Sequence, residues 1–241
     1  MVEIQNEKGQ TVRKYQLFDG PEVYMMPRLL AQGRTLITPI ELMMARLYGD
    51  EADKQYLNTY IVVNVAVIPN PNGGELKYVH KHPLIYGLNP NSRLEFGFLP
   101  VAMKDYNQYE GYVLSKSEVN EFINDPYGLP DKRREFLADG DADLARNYEQ
   151  HVCETLESSF DKVMGFYMPL NRDIDFLNSL SMSFDGTPFG WCSSDGLRLL
   201  IIGSVCWSGR SFAHGGAYLE HSDGHLVGVV HDDAEKPVTM K

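Results

Sequence analysis

The chain has 241 residues and a formal net charge of −11, from 22 Lys plus Arg against 33 Asp plus Glu. Hydrophobic residues make up 43% and charged residues 23%, a balance that lets a chain of this length bury a core and excludes global disorder or a fibrous fold. The densest basic patch is Lys132, Arg133 and Arg134, followed at once by Glu135, so the cationic face that phosphate recognition needs is missing and neither nucleic acid nor an anionic membrane is expected as a partner.

The opening MVEIQNEKGQ lacks the apolar core of a signal peptide. The longest apolar run, Tyr60 to Ile68, is broken by Asn64 and too short to span a bilayer, so a cytoplasmic protein is expected. Cys153, Cys192 and Cys206 are odd in number and without CxxC spacing, which fits reduced thiols better than disulfides or a structural zinc site.

In chain order, TVRKYQLFDGPEVYMM predicts two short strands around a DGPE turn. Thr38-Pro39-Ile40-Glu41 is a capping box, with an N-cap Thr, Pro at the first helical position and Glu at the third, and it opens an amphipathic helix to about Gly49. Tyr60 to Ile68 is β-branched and apolar on both faces, which predicts a central strand covered on both sides. PNPNGG then turns the chain into ELKYVH as a hairpin, and a further strand is expected over Arg93 to Leu99.

Ser115-Lys116-Ser117-Glu118 is a second capping box, for a short helix through Ile123. Asp141 or Asp143 caps a longer helix in which Leu144, Tyr148, Val152, Leu156, Phe160 and Val163 form one stripe. Asn171 caps another short helix, Leu197 to Val205 reads as strand, and residues 217–231 read as a hairpin. The whole predicts a single α+β domain over residues 1–241: a mainly antiparallel sheet with one long and several short helices packed on it.

The closing hairpin contains HSDGHLVGVVHDD. With Ser222-Asp223-Gly224 as its loop, His221 faces His225 and Gly215 faces His231. His225 and His231 are then roughly 20 Å apart along one strand, too far to share a zinc ion. His214, His231 and Asp232 at the open end are the candidate ligands that remain for zinc or another divalent metal, weighed against polar residues at strand ends, which are commoner.

Other stretches fail as sites. Gly203-Ser204-Val205-Cys206-Trp207 is near the Gly-Ser-Cys-Trp of papain-type proteases, but Val205 interrupts it and too little chain follows for the distant His and Asn. Asp139-Gly140-Asp141-Ala142-Asp143 imitates a calcium loop, but Leu144 stands where Gly is needed and Gln150 where a bidentate Glu is needed. His80 and His82, flanked by Lys77 and Lys81, read as a solvated strand edge. No dinucleotide, P-loop, HExxH or GxSxG motif occurs.

LLIIGS and HGGAYLEHSDGHLVGVVHDD, within residues 199–233, resemble the closing strands of SMI1/KNR4-type domains, a family that includes many toxin-immunity proteins. The resemblance is confined to those strands. That family's N-terminal pattern is not found in the preceding chain, and the residues assign no membership. Composition and motifs together predict a non-enzymatic cytoplasmic protein that binds a protein partner, its acidic surface favouring a basic one. The alternative is a metal-dependent hydrolase built on His214, His231 and Asp232.

Overall fold

The computed structural model describes residues 2–5, 9–70, 75–95, 97–115, 117–118, 135–155, 196–202, 213–215, 219–220 and 225–231. In chain order its elements are β1 (Glu3–Gln5), β2 (Thr11–Arg13), β3 (Tyr15–Asp19), α1 (Glu22–Ala31), β4 (Thr35–Leu36), α2 (Pro39–Tyr48), α3 (Glu51–Tyr56), β5 (Ile61–Pro69) and β6 (Glu75–His80). There follow α4 (Pro83–Tyr86), β7 (Leu99–Pro100), α5 (Met103–Gln108), β8 (Tyr112–Ser115), α6 (Ala142–Thr155), β9 (Gly196–Ile202), β10 (Ala213–Gly215) and β11 (His225–Val229). Helices and a mixed sheet together make the fold α+β.

The sheet is built around β5. All nine of its residues are buried, as expected of a β-branched run apolar on both faces. β9 pairs with it antiparallel along one edge. The other edge is shared: β11 runs parallel to it at Ile61 and Val62, and β6 pairs antiparallel from Val65 to Pro69. Between them the backbone N–H of Asn64 donates to Ile37 O at 2.8 Å, and its carbonyl accepts from Lys81 N at 3.0 Å. The segment leading into α2 is thus wedged where β11 and β6 part.

One face of the sheet carries Tyr15, Ile61, Val63, Leu200, Val227 and Val229, covered by Leu42 and Met43 of α2 and Leu144 and Tyr148 of α6. The opposite face carries Phe18, Val62, Ala66, Ile201 and Leu226, covered by Val23, Met26 and Leu29 of α1, Ile85 of α4 and Tyr106 of α5. Buried Arg46 ties the first layer together. Its guanidinium donates to Leu57 O, to Thr59 O at 2.9 Å and to Tyr148 Oη at 2.8 Å, joining α2, the loop before β5 and α6.

The capping box of α2 forms in full, with Glu41 N donating to Thr38 Oγ1 and Thr38 N to Glu41 Oε2. Ser115 and Glu118 make the same reciprocal pair, although the helix beyond them lies outside the described residues. Asp141 Oδ1 accepts from Leu144 N at 2.9 Å and caps α6. α6 is described to Thr155; Leu156, Phe160 and Val163 of its predicted stripe lie outside the described residues, as do Asn171 and its helix.

Three expectations are corrected. The segment after DGPE is helix α1, because Val23, Met26 and Leu29 lie on one buried face; Pro27 sits inside that helix. Over Arg93 to Leu99 the chain makes a tight bridge between Glu95 and Phe98, and only Leu99–Pro100 joins the sheet, against β9. β11 does not take the partner predicted for it in the closing hairpin: β3 occupies one of its edges and β5 with β4 the other, while β10 pairs with β9. The hairpin reading used local pairing alone, whereas the apolar LVGV of β11 is buried by distant strands.

Gly228 in that strand is set by packing rather than by backbone conformation. A Cβ there would lie 2.8 Å from Arg34 Cδ and Phe18 Cε2 and 3.1 Å from Leu29 Cγ. Gly228→Ala is therefore expected to lower unfolding stability by about 1–3 kcal/mol through overpacking. Urea titration of the two proteins checks this; an unchanged midpoint would mean that α1 lies farther from β11 than described.

Candidate functional site

The parting of β11 from β6 exposes a polar corner. β4 enters it antiparallel to β11, with Thr35 opposite Val229 and Leu36 opposite Gly228. Two residues past that register comes His231, so strand alternation puts its side chain on the same side as those of Val229 and Thr35. The chain then turns through Ile37 into the capped start of α2, which brings Glu41 to the same place.

His231 Nε2 lies 2.7 Å from Thr35 Oγ1, and its Nδ1 lies 3.6 Å from Glu41 Oε1. The other carboxylate oxygen of Glu41 accepts from Thr38 N at 2.8 Å and from Thr38 Oγ1 at 2.9 Å, so the capping box fixes the acid. The side chains of His231 and Glu41 keep 28% and 25% of their surface exposed, enough for a small molecule to touch them. Glu41 is also felt by the tyrosines around it. The Tyr15 phenol is pushed up to about 12, first by burial and then by the charges of Glu41 and Asp53. The Tyr86 phenol is raised by burial, with a further contribution from Glu41.

A hydroxyl bonded to one imidazole nitrogen, with a carboxylate facing the other, is an arrangement that can move a proton off the hydroxyl. Sequence reading picked out His231 but neither Thr35 nor Glu41. Glu41 was fully accounted for by its capping box, and nothing in the pattern around Thr35 marks its hydroxyl.

Of the predicted metal ligands, His214 and His231 are among the described residues. His214 lies on β10 opposite Ile201, which is opposite Val62, which is opposite Leu226. His231 is five residues beyond Leu226 and two strands intervene, which separates the backbones of His214 and His231 by roughly 20 Å. Asp232 lies outside the described residues. Among the described residues no group of three or more His, Cys, Asp or Glu is placed to hold a metal ion.

The remaining histidines have separate settings. His225 Nδ1 contacts Asp19 Oδ1 across the β11–β3 pair, at a half-open position. Asp19 also lines an open groove of about 460 Å³ between β3 and α1, with Phe18, Met25 and Arg28. His221 lies outside the described residues, as do Cys192 and Cys206.

His80 and His82 are not on a solvated edge: His80 is paired with Val65 of β5, and Phe136 and Tyr109 cover the two rings. Lys81 between them takes a φ of 52°, which breaks the strand alternation. His80 Nε2 donates to Phe136 O at 2.7 Å, and its ring stacks on Phe136 with centroids 4.2 Å apart. His82 is fully buried, its Nδ1 accepting from Leu84 N to cap α4, and its ring lies edge-on to Tyr109. Burial lowers the pKa of both.

A histidine whose folded pKa is depressed contributes stability that is complete above its unfolded pKa of ~6.5 and falls as the unfolded chain takes up protons that the folded one refuses. Unfolding stability is thus expected to decline as pH drops from about 6.5 toward the lower folded values of His80 and His82. His80→Gln should flatten that decline in denaturant titrations at stepped pH; an identical slope in both proteins would remove His80 as a source.

No family model, no curated protein and no solved structure matches the chain.

Proposed function

We propose that the protein acts in the cytoplasm by binding a protein partner, and that the partner is basic. The observation that carries this reading is the concentration of exposed acid at the start of α6. Glu135, Asp139, Asp141 and Asp143 are all exposed within nine residues, in a chain of net charge −11. Arg146 pairs with Asp143 at 3.2 Å, but both side chains are largely in solvent, and such a pair leaves the local field acidic.

The distribution of the cations supports the same reading. Arg34, Arg46 and Arg198 are buried; Arg34 gives its donors to the carbonyls of Arg13, Lys14 and Gly228, as Arg46 does to Leu57 and Thr59. Those guanidiniums hold the interior and do not offer themselves to a ligand. A basic partner meets an outward face weighted toward carboxylates, which speeds encounter more than it tightens the final complex.

The test is the combined charge reversal Glu135→Lys, Asp139→Lys and Asp143→Lys, which leaves the α6 cap at Asp141 intact. Immobilised wild-type protein is expected to retain a basic partner at low salt and to release it as salt rises, since exposed charges are screened over ~10 Å at 0.1 M. The reversed variant should capture at least ~10-fold less at low salt. Equal capture by both proteins, or retention indifferent to salt, would overturn recruitment through charge.

A further inference from the structure

We infer that Thr35 is a nucleophile for acyl transfer, with His231 as its base and Glu41 as the residue that positions the imidazole. This goes beyond partner binding and does not depend on it.

Glu41 Oε1 faces Nδ1 of His231, which favours the proton on Nδ1 and leaves the Nε2 lone pair free to accept from the Thr35 hydroxyl 2.7 Å away. That is the direction in which a base must be oriented to activate an alcohol. The 3.6 Å between Nδ1 and Oε1 is longer than a formed hydrogen bond, and such contacts commonly tighten only when the imidazole becomes charged.

A histidine that served only to satisfy the cap would be redundant here. Thr38 already supplies both reciprocal bonds of the capping box, so neither the Glu41 carboxylate nor the α2 N-terminus needs His231. Nor is Thr35 required to hydrogen-bond through its side chain, because its backbone is paired with β11. The contact between the two is therefore additional to what the fold needs, and it sits at a partly open corner. Metal-assisted chemistry is not required for the step that follows.

For an ester substrate, Thr35 Oγ1 bonds to the carbonyl carbon as its proton passes to His231 Nε2, and the carbonyl π pair moves onto oxygen. Collapse of that adduct breaks the bond to the alcohol, which leaves with the proton from Nε2. Water then attacks the threonyl ester with His231 again taking the proton; the C–Oγ1 bond breaks, Oγ1 recovers a proton, and a carboxylic acid is released. The positive charge that His231 carries between these steps is balanced by Glu41. The substrate class is a small activated ester, since His231 and Glu41 are only about a quarter exposed and Thr35 is a secondary alcohol.

The full chain is incubated with p-nitrophenyl acetate and, separately, with a fluorophosphonate, and adducts are mapped by mass spectrometry. One adduct per chain is expected, on Thr35. Thr35→Ser should still label and Thr35→Val should not, while His231→Gln should slow labelling by ~10²–10⁴-fold. Glu41→Gln should lower the maximal acylation rate several-fold while leaving the ester concentration at half-saturation unchanged, the split expected when a group that positions the base is lost. Thermal melts accompany each variant. If Thr35→Val fails to fold, the Ser and Gln variants decide the matter. Absence of a Thr35 adduct on folded wild-type protein, or a labelling rate unchanged in His231→Gln, overturns the assignment.

Discussion

The sheet divides at Asn64, and much else follows from that division. A strand has two hydrogen-bonding edges, and one edge of β5 must serve two partners, β11 at its start and β6 at its end. At the point between them the N–H and C=O of Asn64 are satisfied by Ile37 and Lys81, neither of which belongs to the strands on that edge. Buried backbone polar groups must be paired, so the segment carrying Ile37 has to be there. Its position fixes where β4 meets β11 and where α2 starts, and thereby fixes the distance of Glu41 from His231. The side chain of Asn64 follows the same logic in part: Nδ2 donates to Tyr86 Oη, tying α4 to the divide, while Oδ1 has no hydrogen-bond partner among the described residues.

What the sequence made legible was local. A capping box involves four neighbouring residues, so Thr38 to Glu41 and Ser115 to Glu118 announce themselves without knowledge of the fold. β5 is equally plain, because burial on both faces demands an unbroken apolar run. The α1 segment was misread because DGPE was taken as a turn between two strands of an apolar-alternating run, whereas the chain after it is a helix that contains Pro27. Loss of one backbone hydrogen bond there is offset by burying Val23, Met25, Met26 and Leu29. The closing strands failed for a different reason. His225 to Val229 pairs with residues more than 150 positions earlier, and no pattern within the strand indicates which partner it will take.

The polar corner was only half visible for that same reason. His231 stood out as a residue type rare enough to notice, but its partners come from the first fifth of the chain. Grouping it with His214 and Asp232 rested on nearness in sequence and on the hairpin. Once β10 is placed beside β9 and β11 between β3 and β5, nearness in sequence says nothing about nearness in space.

Recruitment through the exposed acids before α6, as proposed, and proton transfer at the Thr35–His231–Glu41 corner, as inferred, make different demands on the molecule. Recruitment by charge tolerates movement, since a field acting over a Debye length does not need fixed geometry. Proton transfer at 2.7 Å tolerates almost none. The described elements are distributed accordingly. Glu135, Asp139 and Asp143 are exposed, on a short helical stretch, on the turn after it and in the first turn of α6, where their sign matters most. Thr35 lies on a paired strand, His231 two residues past a buried strand, and Glu41 in a closed capping box. The two groups share no residue, so they can be varied independently. Charge reversal at the turn leaves every bond of the corner in place.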